Sequence, residues 1–240
     1  MKLVKKIVEI FTNRKYNIQI SRLDTTIDDK NYDIGIKKVM NLLNYTKKSG
    51  VSYSAGNFNA GYHSFSINNY DFKGQRDPKM RFKDLPFSLK DMSIIDIGCN
   101  QGGMLHAFSK EIGSGIGIDY DARMINVANK IKSYTSTNNL DFYVFNLENE
   151  PLDYIYDFLP QEKVDVALLL SVCMWIDNWK EVIKFCKKIS TKLIFESNGK
   201  PEQQKEQIQF LNEVYSNVQL INERSEDDPS QKLRQLFYCY

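Results

Sequence analysis

The stretch Ser93-Ile94-Ile95-Asp96-Ile97-Gly98-Cys99-Asn100-Gln101-Gly102-Gly103 decides the fold of this chain. An apolar run ends in an acidic residue, Asp96, and passes at once into a turn rich in glycine. The residues from Met104 to Lys110 then have the character of a helix. A strand, an acid, a glycine loop and a helix in this order predict a nucleotide-type pocket at the end of a parallel strand.

The chemistry of the loop bears on which ligand this pocket takes. In a dinucleotide fingerprint the second glycine lets the backbone approach a pyrophosphate, and Asn100 stands at that position here. Asn tolerates left-handed backbone angles. The spacing Asp96-x-Gly98-x-Asn100-x-Gly102 resembles motif I of class I methyltransferases that depend on S-adenosylmethionine (SAM). The resemblance implies that Gly98 and Gly102 let the backbone lie close to the methionine part of SAM, with Cys99 contributing backbone atoms. A glycine turn that binds no ligand is the alternative.

A second acid follows roughly 20 residues after Asp96, at the end of the short apolar strand Gly115-Ile116-Gly117-Ile118-Asp119. An acid at this place accepts hydrogen bonds from both ribose hydroxyls, and Tyr120 is positioned to lie against the adenine. The alternative role for Asp119 is to cap a helix from Ala122 to Tyr134. The two roles are compatible.

The segment Phe142-Tyr143-Val144-Phe145-Asn146-Leu147-Glu148 alternates large side chains and predicts a third strand. The resemblance places the adenine contacts at Asn146 and Leu147. The family often has Asp where this chain has Asn146, which is a departure. The alternative is a strand-ending Asn that favours a turn.

Two further strands complete the parallel part of the predicted sheet. The run from Val164 to Val172 is almost continuously apolar, as in a strand buried on both faces. A fifth strand, from Lys192 to Gly199, ends in polar residues at the edge where open α/β sheets bind ligands. The resemblance predicts that the reaction site is bordered by Ser171, Val172, Met174 and Trp175, with Ser171 also among the cofactor-binding residues. Glu196 lies at the carboxyl edge of the fifth strand.

The whole chain fits a Rossmann-like α/β fold with a mostly parallel, seven-stranded sheet and a closing antiparallel hairpin. That hairpin is predicted from Val218–Glu223 and Leu233–Tyr238, after a last long helix over Gln203–Tyr215. We expect a methyltransferase domain over residues 90–240. Residues 1–89 then form an N-terminal helical extension and a lid-like segment.

Within that extension, helical spacing of apolar residues predicts helices over residues 2–13 and over Tyr32–Lys48. Residues 51–73 are rich in Asn, Ser, Gly and aromatic residues, which predicts an irregular loop. The Gly74-x-Arg76 pair followed by Arg81 is similar to the lead-in of bacterial methyltransferases that act on tRNA wobble uridines or on surface saccharides.

Composition narrows the class of protein. The longest apolar run, from Val166 to Ile176, is too short to span a membrane, which takes roughly 20 residues, and no signal peptide is recognised. Four separated cysteines without a C-x-x-C pair predict reduced thiols in a cytoplasmic protein and no zinc site. The net charge of +2 is uneven, because the first 50 residues carry eleven basic and five acidic side chains. That section either meets phosphates, as in nucleic acid, or forms ordinary solvated helix faces.

Methyl transfer needs an acceptor atom held in line with the methyl–sulfur bond, and a general base assists when the acceptor is a hydroxyl or an amine. We name His63 and Glu196 as candidate bases, because His titrates near neutral pH and Glu196 ends a strand at the ligand edge. Arg76 is a candidate for binding the SAM carboxylate or an acidic substrate. Tyr62, Trp175 and Asn198 are candidates for lining the acceptor pocket. The scheme requires no metal.

The primary hypothesis is a SAM-dependent methyltransferase that acts on an O or N atom of a small-molecule or carrier-linked acceptor and releases S-adenosylhomocysteine (SAH). A saccharide is one such acceptor. An RNA methyltransferase acting on tRNA is the alternative within the class. An NAD(P)-dependent oxidoreductase and a non-catalytic SAM-binding domain are the alternatives outside it. The oligomeric state and the identity of the acceptor stay open.

Overall fold

The computed structural model describes residues 34–47, 58–67, 70–228 and 233–240. The first helix, α1, covers Ile34–Tyr45. It confirms most of the helix predicted over Tyr32–Lys48. The helix predicted over residues 2–13 lies outside the described residues.

Four strands of three residues each follow α1: β1 (Gly61–His63), β2 (Phe65–Ile67), β3 (Tyr70–Phe72) and β4 (Gly74–Arg76). β1 pairs with β4 in parallel, and β2 pairs with β3 antiparallel. The expectation of an irregular loop over residues 51–73 is therefore wrong for the described part of that segment. We call residues 58–67 and 70–81 the strap; it ends in the short helix α2 (Pro78–Arg81), which Asp77 caps.

The main sheet has seven strands in the order β10-β11-β9-β8-β5-β6-β7. The parallel strands are β5 (Ser93–Ile97), β6 (Ser114–Asp119), β7 (Leu140–Val144), β8 (Val164–Leu170) and β9 (Ser190–Glu196). β10 (Val218–Asn222) and β11 (Leu236–Cys239) add the antiparallel pair, with β11 inserted between β10 and β9. This confirms the Rossmann-like fold and the closing hairpin.

Helices cover both faces of the sheet: α3 (Gly103–Phe108), α4 (Ala122–Thr135), α5 (Trp179–Ile189) and α6 (Pro201–Val214). Short 3₁₀ turns occupy Leu152–Phe158 and Cys173–Trp175. The chain runs from β5 outward to β7 and then returns to β8 on the other side of β5. That reversal creates a crevice at the carboxyl ends of β5 and β8, which is where open α/β sheets bind ligands.

The strap belongs to a separate small core. Its apolar residues Phe65, Ile67 and Phe72 pack with α1 and with Val127 and Ile131 of α4. These are long-range contacts, so packing on α1 and α4 holds the strap in place, and its own short strands do not suffice for this.

Candidate active site

The loop after β5 holds three residues in the left-handed region: Gly98 (φ +79°), Asn100 (φ +53°) and Gly102 (φ +72°). Asn100 thus adopts the conformation for which Asn is suited, and its side-chain oxygen accepts the N–H of Gln101 at 2.9 Å. A Cβ at Gly98 would lie 2.6 Å from Val172, and one at Gly102 would lie 2.6 Å from Phe142. Packing inside the protein is therefore sufficient to require both glycines. Their closeness to the methionine part of SAM stays a prediction.

Asp119, at the end of β6, ties that strand to the glycine loop. Its Oδ2 accepts the N–H of Asn100 at 2.9 Å, and its Oδ1 accepts the N–H of Asp121 at 2.9 Å. Asp121, not Asp119, caps α4 by accepting the N–H of Arg123. The capping alternative for Asp119 is therefore wrong. A carboxylate has about four acceptor positions, which is more than these two bonds use.

Asp96 is buried at the carboxyl end of β5, and its Oδ2 has no hydrogen-bond partner. Burial raises the pKa of this carboxyl to about 7; Arg81 opposes the rise and Asp119 adds to it. A buried carboxylate oxygen without a partner is costly unless a ligand supplies one. The atom therefore fits a cationic donor, such as the amino group of an amino acid.

His63 lies on the strap directly against the glycine loop, because its ring and Cβ occupy the space that a side chain at Gly103 would need. The ring is buried, packs edge-on against Tyr62, and has no hydrogen-bond partner at either nitrogen. Burial, then the charges of Arg81 and Arg76, hold its pKa well below the usual range. His63 is therefore neutral at physiological pH. The sequence analysis did not predict that residue 103 has to be a glycine to leave room for the His63 ring.

The strap is fastened to the sheet by buried ion pairs. Arg76 is fully buried; its Nε lies 2.5 Å from Asp227 Oδ2 and its Nη2 lies 2.7 Å from Glu196 Oε1. Its Nη1 donates to the Tyr62 hydroxyl at 3.4 Å. Arg81 Nη2 lies 2.6 Å from Glu196 Oε2. These partners occupy the guanidinium of Arg76, which argues against the expectation that it binds the SAM carboxylate directly.

The same ion pairs set the charge of Glu196. Burial alone would raise the pKa of its carboxyl, but Arg81 and Arg76 outweigh burial and lower the pKa to about 2. Glu196 also accepts the Ser171 hydroxyl. A carboxylate so strongly stabilised in its charged form has little affinity for a proton, which argues against Glu196 as a general base.

Ser171, Asn198 and Trp175 lie at the ends of β8 and β9. Ser171 has a left-handed backbone (φ +62°), an arrangement that non-glycine residues adopt at some cost. Asn198 donates its side-chain N–H to the Ser171 carbonyl and accepts the N–H of Met174 at 3.0 Å. The side chain of Trp175 is 71% exposed at this edge. The structure thus brings Ser171 and Asn198 into contact and leaves the indole open to a ligand.

Asn146 and Leu147, the predicted adenine contacts, make hydrogen bonds within the protein. The Asn146 oxygen accepts the N–H of Glu148 at 3.0 Å, which is a local turn, and the Leu147 carbonyl accepts from Asn178 at 2.6 Å. These bonds match the turn alternative for Asn146. Tyr120 is 64% exposed beside Asp119. Adenine contacts by these three residues stay predictions.

Two negative findings concern the described residues only. They contain no group of three or more His, Cys, Asp or Glu side chains placed to hold a metal ion. None of the helices described in this structure is long and apolar enough to cross a membrane. Cys99 is buried and burial raises its thiol pKa well above the usual range, so its sulfur is unreactive.

The chain was compared with known proteins. A family profile described as a methyltransferase domain matches residues 88–222. The solved N-terminal domain of EvdMO1, crystallised in the presence of SAH and D-fucose, has a TM-score of 0.56 at 12% identity, covering 73% of this chain and 89% of that one. Full-length EvdMO1 has a TM-score of 0.54 at 12% identity over 73% of this chain and 43% of that one.

A SAM-dependent methyltransferase from Aquifex aeolicus is a further match, with a TM-score of 0.49 at 18% identity over 69% of this chain and 89% of that one. The search of curated proteins gave no match. At 12% identity the two EvdMO1 structures show a common fold, whereas the family profile covers more than half of the chain. The protein therefore belongs to the methyltransferase domain family and is a class I SAM-dependent methyltransferase, with SAM as methyl donor and SAH as product.

Proposed function

We propose that this enzyme methylates an O or N atom of a small-molecule or carrier-linked acceptor at the carboxyl edge of β5, β8 and β9. The observation that carries the proposal is the buried, unpartnered Oδ2 of Asp96 beside a glycine loop that Asp119 holds in place. When bound, SAM supplies an activated methyl group on a cationic sulfur. The residues of this chain bind and orient it.

In this proposal Asp96 accepts a hydrogen bond from the amino group of the methionine part, and Asp119 accepts the ribose hydroxyls. Gly98, Cys99, Asn100 and Gly102 form the loop that lies along the methionine part. Tyr120, Asn146 and Leu147 border the adenine. Residues 90–240 would then form the catalytic domain, and the strap, within residues 1–89, would cover it.

The two candidate bases have different roles in this proposal. Glu196 is a positioning residue, because its carboxylate holds Arg76, Arg81 and Ser171 in place. His63 is the better candidate for a hydrogen bond to the acceptor, because its imidazole is neutral and both nitrogens are unpartnered. Burial holds the pKa of His63 well below its usual range, so the imidazole is suited to orienting the acceptor through a hydrogen bond and is a weak acceptor of a proton.

A saccharide is the acceptor class to try first. The EvdMO1 domain that shares this fold was crystallised in the presence of D-fucose, and the exposed Trp175 offers an aromatic face four residues after Ser171. The tRNA alternative rests on the basic character of residues 1–50, most of which lie outside the described residues. Both classes belong in one acceptor screen using SAM with a labelled methyl group.

Cofactor binding is tested by calorimetry with SAH on three proteins. We expect Asp119→Ala to lower SAH affinity by about 10- to 100-fold, because it removes the ribose acceptor and the hydrogen bond that Asp119 accepts from Asn100 in the glycine loop. The control Asp153→Ala, an exposed acid near α5, should bind like the wild type. Unchanged affinity in Asp119→Ala, with the wild type binding SAH, would remove Asp119 from the site.

A further inference from the structure

Arg234 lies at the carboxyl edge of the sheet, two residues before β11 begins. β11 pairs with β9 so that Leu236 lies opposite Glu196, the last residue of β9. The N–H of Ser197 donates to the Gln235 carbonyl at 2.9 Å, and the N–H of Gln235 donates to the Ser197 hydroxyl at 2.9 Å. The backbone next to Arg234 is therefore fixed to the edge at which the acceptor is proposed to bind.

The side chain of Arg234 reaches toward Ser171. Its Nη1 lies 3.3 Å from the Ser171 hydroxyl and 4.0 Å from Glu196 Oε2, and the side chain is 19% exposed. It is thus neither in bulk solvent nor fully buried. The contact with Ser171 places the guanidinium at the end of β8.

The ion pairs around Arg234 are already shared. Glu196 pairs with Arg76 at 2.7 Å and with Arg81 at 2.6 Å, and Asp227 pairs with Arg76 at 2.5 Å. Within the described parts of the chain, no carboxylate other than that of Glu196 lies within 4.0 Å of Arg234. Counting ion pairs within 4.0 Å among these residues, three guanidinium groups share two carboxylates, and the further acid Asp96 acts on Arg81. A largely desolvated guanidinium is stabilised by an anion, and its planar fork matches a carboxylate or a phosphate.

The neighbours of Arg234 belong to the acceptor side of the crevice. Ser171 is held by Asn198, and Asn198 also accepts the N–H of Met174, next to the exposed Trp175. Arg234 is thus linked by hydrogen bonds through Ser171 and Asn198 to the backbone of Met174, the residue before Trp175. The unusual backbone of Ser171 at this junction is typical of functional sites.

We infer that Arg234 binds an oxyanion of the methyl acceptor, a carboxylate or a phosphate, so that the enzyme acts on an acidic substrate. The inference rests on the proposed function, because it takes the ends of β8 and β9 as the acceptor side. An arginine keeps its charge at every physiological pH, so the site selects the anionic form of the acceptor and orients it. The other assignment for Arg234 is an anchor for the carboxylate of SAM itself.

Binding to the SAH complex separates these assignments. The SAH-saturated protein is titrated with inorganic phosphate, with D-glucuronate and with neutral D-glucose, using wild type, Arg234→Gln, Arg234→Lys and Arg224→Gln. Arg224 is exposed in the same connection between β10 and β11, so its substitution makes the same change in net charge. We expect at least one anion to bind the wild type and Arg224→Gln, at least tenfold weaker binding to Arg234→Gln, and an intermediate value for Arg234→Lys.

We expect all four proteins to bind SAH with an affinity within about twofold of wild type. Such binding also shows that each variant is folded. Phosphate binding alone would indicate a phosphorylated acceptor, and glucuronate binding alone would indicate a carboxylate. The inference is overturned if neither anion binds the wild type, or if Arg234→Gln binds them equally well. A tenfold loss of SAH affinity in Arg234→Gln would make Arg234 a cofactor anchor. A wild type that does not bind SAH would instead refute the proposed function.

Discussion

Asp96 shows how one buried carboxyl makes the stability of the fold depend on pH. Its pKa rises from an ordinary value of 3.8 to about 7 in the folded protein. Between these values the folded state holds a proton that the unfolded state has lost. The contribution of Asp96 to stability is therefore full below about pH 3.8 and declines as the pH rises through 7.

We predict that Asp96→Asn stabilises the ligand-free protein at pH 8 by about 1–3 kcal/mol, because it removes a buried charge without a hydrogen-bond partner. At pH 5 the gain should shrink, since Asp96 is then mostly protonated in the folded state. Urea unfolding at the two pH values measures both. The same variant should bind SAH more weakly. A loss of stability at pH 8 would show that Oδ2 has a partner in solution.

At the scale of elements, the strap and the connection between β10 and β11 form one charged contact. Three consecutive acids of that connection each pair with the strap or the residues just after it: Glu226 with Lys83, Asp227 with Arg76, and Asp228 with Gln75. The pairs of Asp227 and Asp228 are buried, whereas that of Glu226 is exposed. The two segments are far apart in sequence, so this contact fixes the strap relative to the sheet.

We predict that Asp227→Ala destabilises the fold by about 3–5 kcal/mol, since it leaves the buried Arg76 short of a partner. Asp153→Ala, which breaks the exposed pair with Lys188, should change stability by less than about 1 kcal/mol. Chemical denaturation with both variants provides the comparison. Equal, small effects would mean that the charge of Asp227 contributes little to holding the strap.

The elements differ in how far the sequence could predict them. The parallel strands, the glycine loop and Asp119 are local patterns, and their periodicity and spacing are visible in the chain. β1 to β4 have only three residues each, so tertiary packing on α1 and α4 stabilises them and no local pattern does. Arg81 and Asp227 make their contacts across more than 100 residues of chain, and the position of Arg234 depends on the insertion of β11 beside β9. Residue spacing along the chain does not encode such contacts. Two features of the sequence pointed toward this contact: Arg81 in the segment before β5, and the acidic run of residues 226–228.

At the scale of the whole molecule, the candidate functional residues gather at one edge of the sheet. The strap reaches from His63, against the glycine loop, to Arg76 and Arg81, against Glu196 at the end of β9. It therefore crosses the carboxyl ends of β5, β8 and β9. The opposite edge begins at Ser190, seven residues and roughly 20 Å along β9.

This arrangement predicts where a bound ligand changes the dynamics of the protein. SAH should slow amide hydrogen exchange in strap peptides and in the glycine loop, because a ligand bound beneath the strap stabilises the contacts between the strap and the sheet. Peptides from the last turns of α5 to the start of β9, at the opposite edge, should exchange as before. Mass spectrometry with and without saturating SAH measures both regions in one experiment. In Asp227→Ala the strap should exchange faster without ligand, and SAH should restore less of the protection. Protection spread evenly over both edges would indicate general stabilisation by ligand and no particular role for the strap.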